Sequence, residues 1–111
     1  MSEYTPDRWV VLDITHKDTT VRKVLGGWIG GYAKSDTWRL NSGVTEVKDE
    51  GDFFLFSGSS GSVYKCWKHN EGMTSLSASI YDNIMKQATE SDGEWVVELV
   101  TPFRIEDAGS V

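Results

Sequence analysis

The sequence is short of the residues that would announce a chemistry. It has one cysteine, Cys66, so an intrachain disulfide is excluded and a disulfide framework of the secreted type is not expected. It has two histidines, His16 and His69, too few to complete a four-ligand zinc site with that cysteine. Basic residues number 11 against 17 acidic ones, a net charge of −6. General binding to nucleic acid or anionic membranes is therefore not expected, because it needs clustered Lys and Arg to displace counterions. No apolar run approaches the ~20 residues that span a bilayer. The first eight residues, Met-Ser-Glu-Tyr-Thr-Pro-Asp-Arg, hold no apolar stretch of signal-peptide type. The expectation from these absences is a cytoplasmic protein with no membrane contact and no cofactor.

What is present is tryptophan, with five in 111 residues. Trp buries a large area in cores and also dominates binding hot spots, so the role of each is the question to resolve. Apolar residues make up 39% of the chain. That supports one modest core, and the length is that of a single domain over residues 1–111.

The pattern along the chain predicts an α+β fold: an antiparallel β meander of about six to seven strands, one amphipathic helix on one face, and a closing C-terminal strand. Residues 1–7 and 105–111 are expected to be flexible. Trp9–Ile14 and Val21–Leu25 are rich in β-formers and read as a hairpin. Four glycines in the next stretch, Gly26 to Tyr32, disfavour both a helix and a long flat strand. From Thr37 four short strands follow, joined by the turns Asn41-Ser42-Gly43, Glu50-Gly51-Asp52 and Ser57–Gly61. In the last of them Val63, Lys65 and Trp67 share one face and Tyr64 and Cys66 the other, so both faces carry apolar groups that need cover. Between about 74 and 89, Leu76, Ile80, Tyr81, Ile84, Met85 and Ala88 recur at helical spacing, with Thr74 or Ser75 as N-cap. Trp95, Val97 and Leu99 then alternate with Glu94, Val96 and Glu98, and Pro102 stops that strand.

Four motifs compete with bland readings. Gly27-x-x-Gly30-Gly31 lacks the Lys-Ser/Thr of a phosphate loop and the order of a dinucleotide fingerprint; the alternatives are a bulged strand or a binding loop carrying Trp28 and Tyr32. Asp36 to Gly43 is dense in recognition-type side chains, although an Asp36–Arg39 pair, a core Trp38 and a turn capped by Asn41 and Ser42 would account for it as structure. Cys66 in mid-strand reads as a small buried hydrophobe rather than a nucleophile. The acidic run Glu46, Asp49, Glu50, Asp52 lacks the alternation of a calcium loop.

The words Gly26-Gly-Trp-x-Gly-Gly-Tyr32, Asp36-x-Trp-Arg-Leu-Asn-Ser-Gly43 and Gly61-Ser-Val-Tyr-x-Cys66 resemble small uncharacterised proteins of tailed bacteriophages, over roughly residues 9–85. The resemblance implies an accessory protein made in an infected bacterial cytoplasm, of a kind that binds a host protein or signalling molecule. It carries no activity and no site. The expectation is a non-enzymatic protein that binds a protein partner. The alternative is a small-ligand, nucleotide-like binder that uses the glycine–aromatic loop, with an enzyme ranked last. No catalytic or metal-ligating residue is assigned. The candidate binding residues are Trp28, Tyr32, Asp36, Trp38, Arg39, Asn41 and Ser42, and a homodimer is a further expectation.

Overall fold

The computed structural model describes residues 2–30 and 35–110, with the side chains of 108–110 excepted. Eight strands among these residues form two four-stranded sheets, and one α-helix packs on the second. The first sheet holds β1 (Glu3–Tyr4), β5 (Val44–Asp49), β6 (Phe53–Gly58) and β7 (Val63–Trp67), in the order β1-β7-β6-β5. The second holds β2 (Arg8–His16), β3 (Thr19–Trp28), β4 (Thr37–Leu40) and β8 (Trp95–Val100), in the order β4-β3-β2-β8. Pairing is antiparallel except for β1 beside β7. The fold is α+β, with α1 (Ser75–Glu90) followed by the closing strand β8.

The layers follow from burial. In β2, four successive residues, Trp9, Val10, Val11 and Leu12, are buried, which a strand achieves only when both faces are covered. Trp9 and Val11 point between the sheets, where Val24, Phe54, Phe56, Tyr64, Cys66 and Phe103 meet them. Val10 and Leu12, with Leu25, point the other way, onto Met73, Ile80, Tyr81 and Ile84. The sandwich interior is aromatic: Phe103 sits 5.1 Å from both Phe54 and Phe56, in edge-to-face contact. The indole Nε1 of Trp9 donates to the Trp67 carbonyl at 2.8 Å, so a buried polar group is satisfied across the sheets.

One expectation is corrected. The four strands from Thr37 do not lie in one sheet. β4 pairs with β3, while β5, β6 and β7 form a separate meander, and the Asn41–Gly43 turn is the corner between the sheets. Its glycine takes the positive φ expected of it, at 142°. Near the start of the chain, β1 pairs with β7 and Pro6 is enclosed in the interior. The stretch after 104 forms a 3-10 turn over Ile105–Ser110, and Arg22 donates to the Asp107 carbonyl there.

Gly26 and Gly27 do not break β3. The strand continues through them to Trp28 because they face two close neighbours. A Cβ on Gly26 would lie 3.0 Å from Pro6, and one on Gly27 would lie 2.7 Å from the Thr74 hydroxyl. Thr74 is the N-cap of α1, in a reciprocal box with Ser77. The two glycines therefore let the tail pack on one face of β3 and the helix start pack on the other. Tyr32, the end of the glycine–aromatic stretch, lies outside the described residues. Among those that are described, no helix is long and apolar enough to cross a membrane.

Candidate functional site

Two concave surfaces stand out, and they meet at Lys23. The first is an apolar trough on the helix side of the second sheet. α1 covers the half of that sheet around Val10, Leu12 and Leu25, and the strands run on beyond it. Past the helix, Ile14, Val97 and Trp95 form one wall with Ile84, Gln87 and Ala88, around a cavity of about 250 Å³. It continues past His16, Lys17, Val21 and Lys23 as a second space of about 530 Å³, with Ile14 and Trp95 common to both. Trp95 is 45% exposed, yet its ring is fixed: it stacks on His16 with centroids 4.0 Å apart and planes 15° apart. The register explains the pair, because His16 lies directly opposite Trp95 on β8. The cations beside the trough are Lys17 and Lys23.

The second surface is a polar cavity of about 310 Å³ at the corner between the sheets. Arg39, Asn41 and Ser42, all expected site residues, line it with Lys23, Ser60 and Tyr64. Asn41 is buried, and its main chain and side chain both grip β3: its N–H donates to the Val24 carbonyl at 3.0 Å, and its Oδ1 accepts from the Val24 N–H at 2.8 Å. That second bond orients the amide, since the opposite rotation would set two donors face to face. Its Nδ2 is then the one buried side-chain polar atom without a partner among the described residues. Leaving such a donor unmet costs about 1–3 kcal/mol. Ser42 Oγ accepts from the Ser60 N–H and from the Ser59 hydroxyl, each at 3.0 Å. The Tyr64 phenol is held up to about 12 by burial, opposed by the charge of Arg39, so it is a neutral donor at physiological pH.

The other expected site residues are dispersed. Trp28 is half-buried, donates from Nε1 to the Thr5 carbonyl at 3.0 Å, and meets Tyr4 edge-on. Asp36 does not pair with Arg39; it accepts from the Gly30 N–H at 3.0 Å. The Arg39 guanidinium lies 4.4 Å from the Tyr4 ring centre. Trp38 is not core but 43% exposed, on the edge strand β4. It pairs with Gly27, whereas Arg39 pairs with Gly26, so the two side chains leave opposite faces and share no site. Cys66 is sealed in the interior and burial pushes its thiol well up, away from the thiolate. His69 is exposed on the turn after β7, whereas Cys66 is fully buried.

Sequence reasoning missed the trough and half of the corner cavity. The trough needs to know where α1 stops over the sheet. The cavity needs Ser60, Ser62 and Tyr64 to come back beside Asn41. The run Ser57–Ser62 was the available signal, since all six of its members carry a hydroxyl or a glycine backbone able to approach a ligand, but as sequence it reads only as a turn. Compared with known proteins, the chain matches no family description, no curated protein and no solved structure.

Proposed function

We propose that the chain is a non-enzymatic binding module that docks a protein partner in the trough beside α1. The observation that carries this reading is the overhang of the second sheet: Val21 and a clamped, exposed Trp95 lie beyond the cover of the helix, with half-buried Ile14 between them. A contiguous apolar surface with polar neighbours marks an interaction site, and a rigid Trp is the anchor such sites favour. Lys17 and Lys23 suit an apolar segment flanked by carboxylates. The resemblance to phage accessory proteins makes a bacterial host protein the natural partner. This surface replaces the glycine–aromatic loop as the place to look, because Trp28 is spent on Thr5 and Tyr4.

The test is capture from bacterial lysate on the immobilised wild type, Trp95→Ala and Trp38→Ala. A protein held by the wild type and by Trp38→Ala, and lost on Trp95→Ala, is the expected result. Identical capture by wild type and Trp95→Ala would sink the trough as the docking surface. Sedimentation of the free chain tells a second copy from a different protein as occupant.

A further inference from the structure

The corner cavity is lined by donors and by no carboxylate. Lys23 and Arg39 line it, no carboxylate does, and neither cation is in an ion pair among the described residues. On a chain of net charge −6, a cavity holding two unpaired cations and no acid is a local reversal of sign. The neutral groups add to it. Asn41 keeps a buried Nδ2 with nothing to donate to. Ser42 Oγ already accepts twice, so what it has left is its own O–H. The Tyr64 hydroxyl, which makes no hydrogen bond among the described residues, is a further donor on the same wall.

We propose that this cavity binds a small phosphate ester, with Lys23 and Arg39 neutralising the phosphate and the Ser42 and Tyr64 hydroxyls donating to its oxygens. A phosphate offers several strong acceptors and a charge, which is the complement of this wall. Arg39 brings a planar fork already held against the Tyr4 ring, so little side-chain freedom is lost on binding. The space of about 310 Å³ equals roughly ten water volumes, more than one phosphate group fills, which leaves room for the substituent of an ester.

Titration of the 15N-labelled protein with inorganic phosphate and with ribose 5-phosphate, at constant ionic strength, tests the assignment. Both should give saturable shifts centred on the Asn41 side-chain NH2 and the amides of Ser42, Ser60 and Ser62, the ester binding more tightly. Arg39→Gln, which leaves the trough intact, should weaken both by about tenfold or more, and Lys86→Gln on the outer face of α1 should not. Lys23→Gln provides a second variant should Arg39→Gln disturb β4, and the same weakening is expected. Absence of saturable shifts at Asn41, or saturation indifferent to both cation variants, would overturn the site. Saturation by inorganic phosphate with none by ribose 5-phosphate would overturn the ester.

Discussion

At the scale of single residues, Tyr64 carries a pH prediction. Its phenol ordinarily ionises near pH 10, and burial raises that in the folded state to about 12. The folded protein therefore holds this proton more tightly than the unfolded chain. The stability it brings is intact below the ordinary value and is lost as pH rises through the window from about 10 to about 12. Urea unfolding followed across that window should show a falling midpoint, with a shallower slope in Tyr64→Phe; equal slopes would contradict the burial of the phenol. Asn41 was legible as a turn residue, and it is one. Its grip on Val24 was not legible, because that bond depends on β4 lying beside β3.

At the scale of elements, β3 and α1 are fitted to each other through Gly27 and Thr74. A methyl group on Gly27 would approach the Thr74 side chain to 2.7 Å and 2.9 Å. Gly27→Ala should destabilise by about 1–3 kcal/mol, as overpacking does. Thr74→Ala should cost about 1 kcal/mol through the lost cap. The double variant should cost less than the sum, since removing the hydroxyl and methyl of Thr74 makes room for the new one. Additive losses in denaturant titrations would show that the two positions do not touch. The cap itself was readable from Thr74, and the helix bounds were readable from the spacing of Leu76, Ile80 and Ile84. The reason for Gly27 was not, because its neighbour is 47 positions away in the chain.

At the scale of the whole molecule, the C-terminal segment closes the sandwich. Phe103 is buried against Trp9, Phe54 and Phe56, and its N–H donates to the Glu71 carboxylate at 2.6 Å. Arg22 of β3 donates to the Asp107 carbonyl of that segment and is itself held by a two-point pair with Asp13 of β2, at 2.7 Å and 2.8 Å. Phe103→Ala should lower stability by about 3–5 kcal/mol, the cost of an aromatic removed from a core. Trp95→Ala, on the open trough, should leave the unfolding midpoint little changed while abolishing partner capture. A large loss of stability in Trp95→Ala would mark that side chain as structural instead.

The division between sequence and tertiary structure follows the range of the interactions involved. Local chemistry determined the elements: β-rich runs made strands, glycine at 43 made a positive-φ turn, and the spacing from Leu76 to Ala88 made one helix. It also determined the α+β class and the closing strand. That the apolar run Trp9-Val10-Val11-Leu12 is covered on both sides was decided by the two layers that enclose β2. Only the fold decided that the Asn41–Gly43 turn joins two sheets rather than two neighbours, since a turn constrains direction and not partnership. It also decided that the strands of the second sheet outrun the helix above them, leaving Trp95 in the open. The cationic corner arose the same way: Lys23, the pair Arg39 and Asn41, and Ser60 come from three separate stretches of chain, and no local pattern marks residues that meet only when two sheets stack.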